Sequence, residues 1–351
     1  MKQISIGGTL IGGGAPISVQ SMTNTDTANI DATAAQINSL AAVGADIVRV
    51  AVPNAAAANA IRELKQLTSV PLVADIHFDY RLALSVIENG VDKVRLNPGN
   101  IGSAANVRRV ADAAKAAGVP IRVGINSGSL EKRILAEYGG VTAEALADSA
   151  AGHVRLLEDA GFGDICVSMK SGDVNTTIAA NRLFRDKFDY PLHLGVTAAG
   201  SGVPAIAKAA VALGRLLADD IGDTIRVSIT GDPTQEVAAG IAILEAAGLR
   251  VPRLELISCP TCGRCKANLE NVISEVRAAL KNYAPPKPIK IAVMGCEVNG
   301  PGEAKEADFG IACGRDKGVL FAKGDLMTKV DMTSAAKTLC ALIVGKQHLT
   351  I

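Results

Sequence analysis

Two sets of residues in this chain have the types and spacing for chemistry. The first is made of thiols. Six of the seven cysteines follow position 258: Cys259, Cys262, Cys265, Cys296, Cys313 and Cys340, with Cys166 standing apart. The stretch Cys259-Pro260-Thr261-Cys262-Gly263-Arg264-Cys265 has C-x2-C-x2-C spacing. An odd count crowded at one end is poor material for a disulfide framework and suits metal chemistry. A C-x2-C pair with a distant cysteine holds Zn²⁺ or an iron–sulfur cluster. A zinc ribbon offers a second C-x2-C pair, and the scattered later thiols here favour the cluster; structural zinc and free thiols remain the alternatives. Cys259, Cys262, Cys265 and Cys296 are able to supply four thiolates, or a carboxylate within Glu297–Glu303 takes the fourth place. Cys166 and Cys340 read as small buried hydrophobes.

The second set is cationic. Val48-Arg49-Val50, Val94-Arg95-Leu96, Ile121-Arg122-Val123 and Ile225-Arg226-Val227 repeat one pattern, an arginine between aliphatic residues. Such residues sit in strands, whose side chains alternate between two faces, so each guanidinium is buried. Burial of a charge is costly without a partner. Structural ion pairs, to Asp75 or Asp92 for example, are one explanation. Four such arginines together point instead to a shared multiply charged ligand, and guanidinium forks suit a phosphate or diphosphate.

These residues must be held by repeating elements. Eight short β-branched runs alternate with Ala-rich helical patterns: Pro16–Met22, Ala45–Val52, Pro71–Ile76, Lys93–Pro98, Ile121–Asn126, Asp164–Lys170, Leu192–Thr197 and Thr224–Thr230. Helical segments such as Thr33–Ala42, Asn54–Leu67, Ala104–Ala117, Ala143–Ala160, Pro204–Ala218 and Thr234–Ala247 lie between them. This is βαβ repetition, and eight units in about 250 residues match a (β/α)8 TIM barrel. A doubly wound open sheet is the competitor, but no G-x-G-x-x-G turn opens the first unit. In a barrel the C-terminal strand ends carry the chemistry. Those ends hold Gln20-Ser21, Asp75 with His77, Asn97, Asn126, Lys170 and Ser228. Thr197-Ala198-Ala199-Gly200-Ser201-Gly202 and Thr230-Gly231-Asp232-Pro233 follow strands seven and eight, where barrels often hold phosphate. His77 alone is more often a structural histidine than a catalyst.

Arg250-Val251-Pro252-Arg253 reads as a junction, giving a barrel over 1–250 and a small α/β domain over 251–351. In the second domain the pattern gives a helix near Leu269–Lys281, strands at Ile289–Gly295, Phe309–Cys313 and Val319–Ala322, and a closing helix near Ser334–Val344. The 351 residues carry a net charge of +1, which offers no field to draw in nucleic acid or anionic membrane. Hydrophobic residues at 48% and charged ones at 20% rule out disorder. Aromatics at 3% make base stacking an unsuitable mode of binding. No apolar run reaches the ~18 residues of a membrane span. Met1-Lys2-Gln3-Ile4 leads straight into folded-looking sequence, read as no signal or transit peptide and a cytoplasmic setting.

Five stretches together resemble the bacterial 4-hydroxy-3-methylbut-2-enyl diphosphate synthase family of the methylerythritol phosphate route to isoprenoids. They are Val19–Thr25, Ala74–His77, Arg95–Asn100, Ser258–Arg264 and Gly295–Glu303. The resemblance covers essentially the whole chain. It implies a (β/α)8 barrel followed by an iron–sulfur domain, with a [4Fe–4S] cluster held by Cys259, Cys262, Cys296 and Glu303. It implies 2-C-methyl-D-erythritol 2,4-cyclodiphosphate as substrate, opened reductively with loss of water by electrons from flavodoxin or ferredoxin, in a homodimer. Substrate would meet Gln20, Arg49, Arg95, Asn97, Arg122, Asn126, Lys170, Arg226 and Ser228, with Asp75 and His77 near the chemistry. In one place the chain departs. The family's strand-seven motif Gly-Val-Thr-Glu-Ala-Gly is here Gly195-Val196-Thr197-Ala198-Ala199-Gly200. The glutamate, expected to act as a proton donor, is Ala198. An altered form of an active enzyme, a natural variant using Asp75, His77 or Asp232 as the acid, and a homologue that binds without efficient turnover are the competing readings. A zinc-dependent barrel hydrolase and a radical S-adenosylmethionine barrel fit the cysteine spacing and placement less well.

Overall fold

The computed structural model describes residues 1–296, 302 and 304–347, without the side chains of 346 and 347. The chain divides into two compact units, Met1–Arg250 and Val251–Ile351.

The first unit opens with a hairpin, β1 (Gln3–Ile6) and β2 (Thr9–Gly12). Eight parallel strands follow: β3 (Ser18–Met22), β4 (Ile47–Ala51), β5 (Leu72–Asp75), β6 (Lys93–Leu96), β7 (Ile121–Asn126), β8 (Ile165–Lys170), β9 (His193–Leu194) and β10 (Thr224–Ile225). They hydrogen-bond in the order β8-β7-β6-β5-β4-β3-β10-β9. A bridge between Val167 and Leu192 joins the two ends, so the sheet closes into a TIM barrel. The outer helices are α1 (Ile30–Ala42), α2 (Ala55–Leu67), α3 (Tyr80–Glu88), α4 (Ala104–Ala117), the short α5 (Lys132–Glu137), α6 (Ala143–Asp159), α7 (Val174–Arg185), α8 (Gly202–Ala218) and α9 (Pro233–Ala246). Asn29, Asn54, Asp79, Ser103, Thr142, Asp173 and Asp232 each cap a helix start by accepting a backbone N–H.

Strands β3 to β8 lie within the expected runs. The last two are shorter than expected because their ladder is replaced by other partners. Thr197 N–H donates to Ser171 O at 3.2 Å, Ile229 N–H to the Glu236 carboxylate at 3.1 Å, and Thr230 N–H to Gly200 O at 3.0 Å. The opening hairpin, which the sequence pattern did not announce, has a clear job. Ile4, Ile6 and Ile11 pack with Ile47, Val73 and Cys166, near the N-terminal ends of three barrel strands. This seals one end of the barrel with hydrocarbon and leaves the C-terminal end open.

The second unit is a five-stranded sheet in the order β11 (Leu254–Ser258), β12 (Ile289–Met294), β13 (Phe309–Ala312), β14 (Lys317–Ala322) and β15 (Asp325–Asp331). The first three strands are parallel and the last two antiparallel. Helices α10 (Leu269–Ala279) and α11 (Ala335–Gln347) cover it, with Val272, Val276, Leu339 and Ile343 packed in one core with Ile291, Val293, Ile311 and Leu320. No helix among the described residues is long and apolar enough to cross a membrane.

The plug gives the first prediction. Ile6 is fully buried. Ile6→Ala should cost about 2–5 kcal/mol, the range for such a core truncation. A urea-unfolding midpoint unchanged from the parent would show that the hairpin does not hold the barrel shut.

Candidate active site

Strand alternation puts Arg49 of β4, Asp75 of β5, Lys93 and Arg95 of β6, Arg122 and Asn126 of β7, and Ser168 and Lys170 of β8 on one face, toward the barrel axis. A cavity of about 110 Å³ at the C-terminal strand ends is lined by Arg49, Asp75, His77, Arg95, Asn126, Ser168, Lys170, Val196, Thr197, Arg226 and Ser228. Three larger hollows, of about 660, 800 and 470 Å³, lie beside the hairpin, between α8 and α9, and beside Phe78–Arg81. None gathers more than one cation, so the smaller one is the candidate for the chemistry.

Not every expected residue reaches that lining. Gln20 and Arg122 are buried lower in the barrel, where Arg122 Nη1 donates to Gln20 Oε1 at 3.2 Å. Asn97 is buried and its Oδ1 accepts the Gly124 N–H at 3.0 Å, so it shapes the wall. Ala198 is exposed and lies outside the lining. Two residues escaped the sequence reading. Glu236, on the first turn of α9, pairs with Arg226 at 3.1 Å and accepts from Ser21 Oγ at 3.0 Å. Lys93, fully buried, is two residues before Arg95 on the same strand face, and that spacing was the available signal.

The arginines prove to be of two kinds. Arg95 Nη1 donates to Asp75 at 3.2 Å, and Arg226 is paired to Glu236. Among the described residues Arg49 and Arg122 have no ion pair; Arg49 Nε instead meets Met22 Sδ at 3.0 Å. Asp92 serves Lys65, outside this group. Among the described residues six cations, Arg49, Lys93, Arg95, Arg122, Lys170 and Arg226, thus share the interior with two carboxylates, Asp75 and Glu236, a formal excess of four positive charges. The electrostatic consequences follow. Burial, reinforced by neighbouring arginines, pushes Lys170 and Arg49 well below their ordinary values, with Asp75 opposing the shift at Arg49. Arg122 is lowered to about 10 by burial. Burial alone would raise Asp75, but Arg49, His77 and Arg95 outweigh it and hold the carboxyl far below the usual range.

Glycines make room for the long side chains. A Cβ on Gly195 would come within 2.7 Å of Lys170 Nζ and 2.6 Å of the Arg226 carbonyl oxygen. Gly124 likewise gives way to Arg95. Two non-glycine residues at the strand ends are left-handed, Phe78 at φ 64° and Ala198 at φ 51°, next to His77 and Thr197. Backbone strain of this kind gathers at functional sites.

The second unit places thiols at one edge. Cys259 follows β11, Cys296 follows β12 after Gly295, and Cys313 follows β13. The Gly295 N–H donates to Cys259 Sγ at 3.2 Å. A Cβ on Gly295 would lie 2.7 Å from Cys265 Sγ and 3.4 Å from Cys259 Sγ. Cys265, set aside by the resemblance, is therefore brought beside Cys259, while Cys262 is exposed. Burial, then Cys265 and Cys259, push the Cys313 thiol up to about 12. Cys166 and Cys340 are buried, as the sequence reading held. Glu303 lies outside the described residues, and no group of three possible ligands forms among those described. Soft thiolates around a glycine that leaves space, with one aimed N–H donor, fit an iron–sulfur cluster.

An anion-seeking TIM barrel joined to a thiol-bearing α/β domain is the class that this fold and these residues define. The sequence matches the GcpE TIM-barrel domain over residues 1–241 and the GcpE protein C-terminal domain over 255–344. The chain belongs to the GcpE family. It is 53% identical to the 4-hydroxy-3-methylbut-2-en-1-yl diphosphate synthase (flavodoxin) of Geobacter sulfurreducens over 99% of both chains. It is 55% identical to the protein of the same name from Caldanaerobacter subterraneus, over 93% of this chain and 91% of that one. Among solved structures, the dihydropteroate synthase of Yersinia pestis is similar with a TM-score of 0.51 at 12% identity, over 70% of this chain and 98% of that chain. That likeness is one of barrel fold alone.

Gly195 carries the second prediction. Gly195→Ala should cost about 1–3 kcal/mol, the range for forced overpacking, because the Arg226 carbonyl cannot swing aside. Gly172→Ala, whose added Cβ would meet nothing nearer than 3.5 Å, is the control and should stay within about 0.5 kcal/mol. Equal denaturation midpoints for the two variants would refute the close packing.

Proposed function

We propose that this chain reduces 2-C-methyl-D-erythritol 2,4-cyclodiphosphate to (E)-4-hydroxy-3-methylbut-2-enyl diphosphate. Two electrons and two protons enter, the ring opens and one oxygen leaves as water. The observation that carries this reading is the excess of buried cations at the barrel mouth, a seat for a doubly charged diphosphate, in a chain about half identical to synthases of that product. Arg49, Arg95, Lys170 and Arg226 hold the diphosphate oxygens, with Asn126 and Ser228 as neutral donors. Gln20, Asn97 and Arg122 support them from below and behind.

When bound, a [4Fe–4S] cluster on Cys259, Cys262, Cys296 and Glu303 would supply electrons one at a time from flavodoxin or ferredoxin. The names of the relatives favour flavodoxin. The reading includes a homodimer in the cytoplasm, where a reducing setting keeps free thiols reduced.

Proton supply is narrowed by the electrostatics. Asp75 is held ionised by its cationic neighbours, and Asp232 by the Thr234 N–H it caps, so neither has a proton to give at neutral pH. His77, exposed with Nε2 3.0 Å from Arg95 and 3.4 Å from Asp75, is what remains of the three substitutes for the missing glutamate. Imidazole is the side chain suited to proton transfer in this range.

Activity is tested by incubating the chain anaerobically with the cyclic diphosphate and reduced flavodoxin. Consumption of two reduced one-electron carriers per 4-hydroxy-3-methylbut-2-enyl diphosphate formed supports the reading; no product from a cluster-loaded chain refutes it. The cluster itself gives the third prediction. Reconstituted protein should hold about four irons per chain, the content of one cubane. Cys259→Ser, Cys262→Ser and Cys296→Ser should each lose it, and Cys265→Ser should keep it. Iron lost only with Cys265 would show a different ligand set.

Ala198 carries the fourth. Its exposure and its already left-handed backbone leave a longer side chain room without new strain. Ala198→Glu should raise turnover by about 10²-fold or more, as a positioned general acid does, with iron content unchanged. Flat turnover in Ala198→Glu, with activity lost in His77→Gln, would assign the proton to His77 instead.

A further inference from the structure

Lys93 lies outside the cavity lining. It begins β6 and is fully buried, and its Nζ finds no hydrogen-bond partner among the described residues. The charged and titratable groups that face it are Cys166 of β8, Arg122 of β7, Arg49 of β4 and His193 of β9. None is a carboxylate. Cys166 is kept a thiol by burial, and His193 is kept neutral by burial and by Lys170, Arg122, Lys93 and Arg49. Gln20 Nε2, Arg122 Nε and His193 Nε2 are buried without partners as well. Below this layer the isoleucines of the hairpin exclude water. An ammonium in such a place has neither counter-ion nor acceptor, and a buried group so placed sheds its charge. Burial, opposed by Cys166 and reinforced by Arg122 and Arg49, lowers Lys93 to about 7.

We propose that Lys93 is a proton-coupled positioning residue: substantially uncharged in the empty barrel, it takes up a proton from solvent when a doubly charged diphosphate settles among the cations above it. The inference rests on the diphosphate reading of the cavity. An amine becomes an ammonium and no other bond changes. The bound anion brings the negative charge that this layer lacks, which raises the affinity of Lys93 for its proton. By linkage, the proton in turn strengthens binding of the anion. The ligand does not compete for this proton. Each phosphorus of a cyclic diphosphate carries one ionisable oxygen, already ionised well below neutral pH. The sign follows: Lys93 has the higher pKa in the complex, so affinity is greatest below the free-state pKa and falls as pH rises through the interval between the two values.

Calorimetry decides it. The cyclic diphosphate is titrated, without reductant, into the cluster-loaded chain in two buffers of different ionisation enthalpy, neither of them phosphate. Binding near pH 7 should take up about half a proton, and more toward pH 8, with affinity falling up to tenfold per pH unit. Lys93→Met should bind with clearly less uptake and a flatter pH profile, what remains being owed to Lys170, which burial also lowers. Because that variant replaces a core residue, the parent chain labelled at lysine 13Cε supplies an independent reading. One lysine should titrate near pH 7 when free and remain charged there in the complex. Uptake undiminished in Lys93→Met, or no lysine titrating near neutrality that is missing from Lys93→Met, would overturn the proposal. Absent binding heat alongside an intact Lys93 titration would instead overturn the diphosphate reading, and the coupling with it.

Discussion

The barrel encloses more positive charge than it neutralises, and the rest of the structure is arranged around that excess. Buried ions without partners oppose folding, so their persistence needs a ligand to justify it. Asp75 answers Arg95 and Glu236 answers Arg226, while Arg49, Arg122, Lys93 and Lys170 have no carboxylate bonded to them among the described residues. The hairpin keeps water from the closed end, so the missing negative charge has one way in, through the open mouth. A diphosphate entering there exchanges its hydration for fixed cations in a medium where each interaction is stronger than in water.

The cost of holding this arrangement is spread over the scaffold. Strands β9 and β10 give up most of their ladder, and side chains and loop carbonyls take over the freed N–H groups. Glu236 alone serves the guanidinium of Arg226, the Ile229 N–H and Ser21 Oγ, tying a helix start, a strand and a loop to one carboxylate. Gly195 and Gly124 are small because Lys170 and Arg95 lie across them. At the C-terminal end of β6, His153 fixes the loop that follows. Its Nδ1 accepts the Gly99 N–H at 2.9 Å while Nε2 meets Glu131 at 2.7 Å, and that partnership lowers Glu131 to about 2.

Much of this was legible from residue types and spacing. The alternation in Val94-Arg95-Leu96 and its three counterparts was enough to bury the guanidinium groups, on the barrel side or the helix side of the sheet; the structure turns them inward. The alternation did not say which of them find carboxylates. Glu236 lies ten residues from Arg226 and on another element, and nothing local marks it. Lys93 was within reach of the same alternation but begins its run and lacks the flanking pattern. The hairpin is four residues per strand, too short for a periodic signal, and its role depends on a long-range contact. The thiol edge was readable as metal chemistry, but the approach of Cys265 to Cys259 depends on how β11 and β12 pair.

The central claim, that the unneutralised cations are the seat of the diphosphate, is met most directly by a crystal structure of the cluster-loaded chain grown with the cyclic diphosphate in the absence of air and reductant. The account predicts both phosphoryl groups inside the barrel mouth, with their oxygens on Arg49, Arg95, Lys170 and Arg226. A diphosphate bound elsewhere, with those four side chains holding none of its oxygens, would contradict it.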